Sequence, residues 1–399
     1  MLDRLTIERM QRAAGEGPIL LALSGGGDSV SLLHLLAERF GARLRAAIVD
    51  HALRAGSAED AQRARGFAEA LGVPADVLTL VWPKAPKRAQ QAAREVRYRV
   101  LCETARCYGA RVLAVAHTAD DQAETVLMRA AAGSGWRGLA GMAPLAPAPV
   151  WPEGRGVLVA RPLLAARRDA LRAWLRTSGA AWIEDPANTD ASFERVRTRA
   201  RLAELEQGGF DPLRVVGIAA RLREQVERID AAASKLIAEA AMFEGERILI
   251  DVAAWRGAGE VRRRALSVLL VAAAGASREP AADALERLEP RIGHDDFRGA
   301  TLGGAVVARE GACVVLSRDR GALVGRADGA VAPAPFALPS GCEAVWDGRL
   351  ALTAPEPGWE VHADNGAPAP SKGGVRLDLA AAAPHWLLEA RVGHLLARD

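Results

Sequence analysis

The chain has 399 residues, half of them hydrophobic and a quarter charged, which excludes a disordered protein and a single small module and leaves room for two or three domains. No run of about 18 uninterrupted apolar residues occurs, and MLDRLTIERMQRAAGEG at the N-terminus carries acids and no small-residue cleavage pattern, so a cytoplasmic protein without membrane contact is expected. The net charge of +3 hides a split: residues 1–210 hold 29 Lys+Arg against 23 Asp+Glu, leaving 23 against 26 for the rest.

In chain order, the apolar runs at 19–23, 45–49, 76–80 and 111–116 are each followed by a helix-like segment. That alternation predicts an α/β fold with a doubly wound parallel sheet. Helices are predicted at 57–71, 88–107, 120–132 and 166–177, and another opens at the glycines after Leu23, with Gly41 as its C-terminal cap. VLVA at 157–160 adds a further strand. From about 206 the Ala, Leu and Arg rich segments at 213–242 and 260–290 have helical period, and beyond 300 strand-like runs follow, with Asp347-Gly348 placed as a type I′ hairpin turn. The expected division is therefore 1–205 for a catalytic α/β domain, 206–300 for a helical domain, and 301–399 for a β-rich C-terminal domain. Cys102, Cys107, Cys313 and Cys342 show no CxxC spacing, which argues against a zinc ribbon or redox dithiol.

In an open parallel sheet, ligands bind beyond the carboxyl ends of the strands. Three runs end in polar signatures: SGGGDS at 24–29, DHALR at 50–54 and HTADDQAET at 117–125. Gly25, Gly26 and Gly27 are able to take positive φ and let backbone approach an anion, while Ser24, Ser29 and a free helix N-terminus supply donors. The loop lacks GxxxxGK[ST] and GxGxxG, so it reads as a phosphate cradle of neither the Walker nor the dinucleotide type. Asp121 and Glu124 fall at i and i+3 near a helix start, where acids serve as helix-terminal charges. Beside a phosphate loop the same pair suits a cationic substrate or Mg²⁺, with His51 or His117 assisting proton transfer. The basic runs at 83–99 and from Arg161 to Arg201 suit phosphate backbone or, taken alone, a solvated helix face.

SGGGDS resembles the SGGxDS loop of the N-type ATP pyrophosphatases, the PP-loop enzymes. VDHALRAGSAEDA (49–61), AREVRYRVL (93–101), AHTADDQAETVLMR (116–129), GSGWRGLAGM (133–142), RPLL (161–164) and WIEDPANTDASFERVRTR (182–199) are similar, in order, to motifs of the tRNA(Ile)-lysidine synthetases. The resemblance covers about the first 200 residues. It implies that free L-lysine is joined to C2 of the wobble cytidine of a tRNA(Ile) with anticodon CAU, using ATP with Mg²⁺ and releasing AMP and pyrophosphate, with no obligate protein partner. By that resemblance Ser24 to Ser29, Asp28 included, cradle the ATP phosphates, and Asp50, His51 and Arg54 border the reacting groups. Asp121 and Glu124, beside His117, are expected to hold the lysine ammonium and to ease its deprotonation. Lys84, Lys87, Arg88 and Arg94, with Arg195, Arg197 and Arg199, contact RNA. The metal ligands are left unassigned. This chain has Thr118 where the family often carries a second His, Ala132 where an Arg often precedes GSG, and Val196 where an Asn is common. A PP-loop enzyme that thiolates a tRNA base and a silent RNA-binding protein are the competing readings. The first lacks the cysteine ligands, and the second leaves three signatures on one sheet edge without a use.

Overall fold

The computed structural model describes residues 1–82, 89–184, 194–324 and 335–396. Two compact units divide between Glu227 and Arg228. The boundaries suggested by composition, 205/206 and 300/301, differ from that division, which lies inside one long helix.

The first unit is a three-layer α/β domain. Helix α1 (Arg4–Ala14) precedes strand β1 (Ile19–Ala22), helix α2 (Gly27–Phe40), β2 (Leu44–Asp50), α3 (Ser57–Glu69), β3 (Ala75–Thr79), α4 (Ala89–Cys107) and β4 (Val112–Ala114). Then come α5 (Ala119–Ala131), the single turn α6 (Trp136–Leu139), β5 (Leu145–Pro147), β6 (Leu158–Ala160), α7 (Arg168–Thr177) and α8 (Glu194–Gln207). The sheet order is β3-β2-β1-β4-β6-β5. The first five strands in that order are parallel, whereas β5 pairs antiparallel with β6. The doubly wound parallel sheet expected from the sequence is present, with β5 added antiparallel at one edge. Residues 145–147, Leu-Ala-Pro, are too short to carry a period, and the Pro is tolerated because β5 is an edge.

Strand β1 shows why both faces are covered. Ile19 and Leu21 point into a core built from α1, α2, α3 and α7, while Leu20 and Ala22 point into a second core with Tyr98, Leu101 and Ala105 of α4. Successive side chains alternate across a strand, so a run that is apolar at every position is buried on both sides. Helix α2 ends as predicted at Gly41, whose φ is +52° and whose N–H donates to the Ala37 carbonyl. The chain steps outward from β1 to β2 and β3, then crosses back to β4 on the other side of β1. The β1/β4 boundary is thus the topological switch point, where a crevice opens.

Helix α9 (Pro212–Ala240) runs across the division between units. In the second unit, a five-stranded sheet has the order β7-β8-β11-β10-β9, with β7 (Ala241–Glu244), β8 (Arg247–Asp251), β9 (Ala300–Leu302), β10 (Ala305–Glu310) and β11 (Cys313–Arg318). Ile248, Ile250, Val307, Val314 and Leu316 pack with Leu266 and Leu269 of α10 (Gly259–Ala274). The stretch 206–300, expected to be helical, therefore also contributes two strands, β7 and β8, and the first residue of β9 to a sheet it shares with residues after 300. Further on, Glu343–Trp346 and Leu350–Thr353 form a hairpin. Asp347 and Gly348 sit at φ +49° and +66°, and Arg349 N–H donates to Trp346 C=O at 3.1 Å. Two consecutive positive φ angles closed by that bond are the predicted type I′ turn.

Candidate active site

Residues beyond the carboxyl ends of β1 and β4 line a polar cleft of about 350 Å³, among them Ser24, Gly26, Gly27, Asp28, Ser29, His117, Asp121, Arg168 and Arg195. The loop after β1 is self-braced. Ser29 Oγ donates to Gly26 C=O at 2.9 Å and lies 3.0 Å from Ser24 Oγ, and Ser24 N–H points to Ser29 Oγ at 3.2 Å. The three glycines are not equivalent. Gly25 alone takes a positive φ, +81°, and a Cβ there would stand 2.6 Å from Ile183 Cδ1. Ile183 N–H donates to Gly25 C=O at 2.9 Å, so the 182–184 segment is seated directly on the loop. Gly26 and Gly27 have room for a Cβ; their bareness instead leaves the N-terminus of α2 open toward the cleft, a ready anion site.

Asp28, in the first turn of α2, receives Arg168 Nε at 3.0 Å through Oδ2. Its Oδ1 is buried and has no hydrogen-bond partner among the described residues. Burial raises the Asp28 carboxyl and outweighs the opposing pull of Arg168.

The acids of α5 are fully engaged. Thr118 caps the helix: its side chain accepts from Asp121 N–H, and Asp121 Oδ2 accepts from Thr118 N–H and Oγ1, each at 2.8 Å. This reciprocal capping box gives a use to Thr118, which stands where the family often has histidine. Asp121 Oδ1 accepts from Arg168 at 2.9 Å and Arg195 at 3.0 Å. Glu124, 0 % exposed, accepts from Arg195 Nε through Oε2 and from Arg199 Nε through Oε1, both at 2.8 Å. Burial alone would raise Asp121; Arg195 and Arg168 reverse it and hold the carboxyl below its ordinary range. Both acids expected to hold an ammonium are therefore already paired with guanidinium groups.

His117 lies beside them. Burial, helped by the charge of Arg161, lowers its imidazole to about 3, so the ring is neutral at physiological pH, and its Nδ1 has no partner among the described residues. His51 is lowered in the same way, by burial first and Arg97 second. Both rings are thus mainly neutral at physiological pH and hold a proton only weakly.

A second cavity, about 530 Å³, lies between the ends of β1 and β2 and α3 and α4. Its walls are largely apolar, with Ala22, Leu23, Ile48, Val49, Ala61 and Leu101, and Asp50, His51 and Arg54 stand among them. Asp50 is buried at the end of β2, its Oδ1 accepting from Ala52 N–H at 2.9 Å. Arg54 pairs with Asp60 at the surface. The two cavities share Ala22, Ser24 and Arg97. Arg97 lowers the positive count of neither: no ion pair joins it to an acid among the described residues, and burial depresses its guanidinium.

Of the expected RNA contacts, Lys84, Lys87 and Arg88 lie outside the described residues. Arg94 is exposed on α4, with its guanidinium 5.5 Å from the Tyr98 ring, and Arg197 is exposed on α8. Arg195 and Arg199 of the same helix turn inward to Asp121 and Glu124 instead. Arg129, a neighbour of the Ala132 departure, is spent on the carbonyls of Gly138 and Gly141 at 2.8 and 3.0 Å. Sequence reasoning missed Arg97, Arg168 and Arg172 as cleft residues. The first falls inside a quoted motif, but its residue type alone does not tell an inward arginine from a solvated one.

A glycine turn opening a helix at the switch point, without a Walker lysine, makes this a PP-loop domain, and the family model described as the PP-loop domain matches residues 3–206. The chain is similar to the tRNA(Ile)-lysidine synthase of Hyphomonas neptunium, 43% identical over 77% of this chain and 83% of the relative. Those of Ruegeria pomeroyi and Caulobacter vibrioides are 34% and 35% identical, over 84% and 96% of this chain and 76% and 85% of their own. The chain belongs to the tRNA(Ile)-lysidine synthase family, enzymes that use ATP.

Proposed function

We propose that this protein joins free L-lysine to C2 of the wobble cytidine of a tRNA(Ile) bearing the CAU anticodon, in the cytoplasm and without an obligate protein partner. The observation that carries the site assignment is the meeting of two unlike cavities at Ser24 and Arg97. The apolar one suits adenosine, and the arginine-lined one suits a triphosphate. Their shared wall then borders the α-phosphate. In the first step the cytidine C2 oxygen attacks that phosphorus and pyrophosphate leaves. In the second, the lysine ε-nitrogen bonds to C2 and the C2–O bond breaks, carrying the oxygen away on AMP.

The loop 24–29 and the first turn of α2 bind the phosphates, and Arg97, Arg168 and Arg172 neutralise charge growing on the leaving group. The open Asp28 Oδ1 fits Mg²⁺, which is commonly held by one or two carboxylates and the substrate phosphates; no protein-only cluster of three metal-ligating acids, His or Cys occurs among the described residues. When bound, the ion adds charge stabilisation at the phosphates. Asp50 and His51 border the apolar side of the reacting centre. Asp121 and Glu124 receive the lysine ammonium and ease the loss of its proton before attack, with the neutral His117 ring beside them. RNA contact falls to Lys84, Lys87, Arg88, Arg94 and Arg197, with Arg195 and Arg199 added once they leave the acids. The domain division 1–205, 206–300 and 301–399 stays part of this reading as a division of labour: chemistry, linkage and tRNA contact.

Incubation with ATP, labelled lysine and an unmodified transcript tests the reaction; RNA label dependent on lysine is expected, and its absence overturns the reading. Asp121→Asn tests the lysine site. It is expected to raise lysine KM and slow the second step, with pyrophosphate release retained; unchanged lysine KM would remove Asp121 from this role.

A further inference from the structure

If Asp121 and Glu124 are the lysine site, as proposed above, they are not vacant in the free chain. Their four carboxylate oxygens are all satisfied: Asp121 Oδ2 by Thr118, Asp121 Oδ1 by Arg168 and Arg195, Glu124 Oε2 by Arg195, and Glu124 Oε1 by Arg199. The arginines differ in how they are held. Arg168 is tied to Asp28 as well, at 3.0 Å, and its side chain is 15 % exposed. Arg195 and Arg199 sit near the start of α8 with side chains 37 % and 36 % exposed, and Arg197 is exposed on the same helix.

Stripping one partner from a buried carboxylate is strongly unfavourable, because the remaining charge is left unpaired. Simple opening of the site is therefore unfavourable. Exchange is different. An ammonium that takes the place of a guanidinium restores the pair, and a phosphate that takes the guanidinium restores the other half. Arg195 and Arg199 give up three charge-assisted contacts; an ammonium, with three donors, replaces those on the carboxylates, and phosphates replace those on the guanidinium groups. Only Arg195 and Arg199 have the solvent access to enter such a trade; Arg168 stays bound to Asp28.

We infer that Arg195 and Arg199 occupy the lysine site in the free enzyme and are drawn out of it by tRNA phosphates, so that lysine is admitted only after RNA has bound. The two arginines are positioning residues that act through Asp121 and Glu124. Free lysine is then kept from the cleft until an acceptor is present, and by linkage lysine tightens tRNA binding by the same factor that tRNA tightens lysine binding.

The test is calorimetric titration of L-lysine into the full chain, with and without an unmodified tRNA(Ile) transcript. For the wild type, lysine affinity is expected to rise about tenfold or more when the transcript is present, in keeping with typical coupling between sites. Arg195→Gln is expected to bind lysine in the absence of RNA nearly as tightly as the wild type does with it, whereas Arg195→Lys, which keeps a cation, stays weak without RNA. A melting transition checks that each variant is folded; if Arg195→Gln has none, Arg199→Gln takes its place. Equal lysine affinity of the wild type with and without transcript overturns the inference, as does an RNA-free Arg→Gln variant that binds lysine no better than the wild type. Asp121→Asn separates the two levels. Loss of lysine binding in this variant, under both conditions, leaves the site assignment standing whatever the arginines do; retained binding places lysine elsewhere and overturns both.

Discussion

Gly25 and Gly27 lie two residues apart in the same loop, and the structure separates what they do. Gly25→Ala puts a methyl group on a backbone at φ +81°, where Cβ would meet Ile183 Cδ1 at 2.6 Å and Ala64 Cβ at 3.0 Å. The left-handed conformation costs a side chain about 1–2 kcal/mol, and overpacking adds about 1–3 kcal/mol. The closest atom is the end of a flexible isoleucine, so the packing share falls toward the lower figure and the sum toward about 2–3 kcal/mol. Gly27→Ala meets nothing nearer than 3.6 Å, Trp182 Cδ1, and its φ is not in the positive range. By limiting the unfolded chain it is expected to be neutral or to stabilise by up to about 1 kcal/mol. Its methyl group would lie against Trp182 and against Arg172, which lines the phosphate cleft. Urea unfolding followed by tryptophan fluorescence, beside ATP KM in a pyrophosphate-release assay, reads both properties. Gly25→Ala should shift the unfolding midpoint, and Gly27→Ala should raise ATP KM with the midpoint kept. A Gly25→Ala loss under about 0.5 kcal/mol, or an equal loss for Gly27→Ala, would refute the distinction.

Two further predictions follow from the site and from the second sheet. His117 binds its proton near pH 3 when folded but near the ordinary value of about 6.5 when unfolded, so the unfolded chain holds more protons between those values and acidification through that window favours unfolding. Replacing it with Gln should make stability fall less steeply between pH 7 and pH 5 in urea titrations; an unchanged slope would mean the ring titrates normally. Truncation after residue 300 removes β10 and β11, which pair with each other and, through β11, with β8. The product should expose Ile248 and Ile250 and aggregate on expression and gel filtration, whereas a monodisperse, helical product would show that residues 228–300 fold alone.

The first half of the chain was legible because its signals are local. Residues 19–22 are apolar at every position and end at a glycine turn, so a strand buried on both sides and the helix after it were readable, as was the switch point they define. Segment 247–251, RILID, was lost because five residues between two long helical patterns carry little weight against them, although Ile248 and Ile250 are buried on one face. The candidate cleft was legible in its loop residues but not in its cations. Arg168 and Arg195 lie in helices α7 and α8 whose exposed positions are also arginine-rich, and nothing in the spacing marks which of them turn inward. The acids at 121 and 124 were readable as helix-start residues, yet their partners lie 47 to 75 positions away. Thr118 was read only as a departure, although Thr-Ala-Asp-Asp at 118–121 carries the spacing of a capping box.

The ion-pair network has a bearing on biosynthesis. Asp28 meets Arg168 across 140 residues, and Glu124 meets Arg199 across 75. A ribosome delivers the phosphate loop and both α5 acids well before it delivers the arginines that neutralise them, and domains emerge N-terminal end first. Until α8 has left the tunnel, Glu124 has only the longer contact with Arg168, at 3.6 Å, to offset its burial, so α5 lacks part of the stabilisation that seats it against the sheet. The first unit consequently completes its cleft in one late event, the arrival of Arg195 and Arg199, and a chain stalled short of that point carries the nucleotide loop without a finished cleft around it.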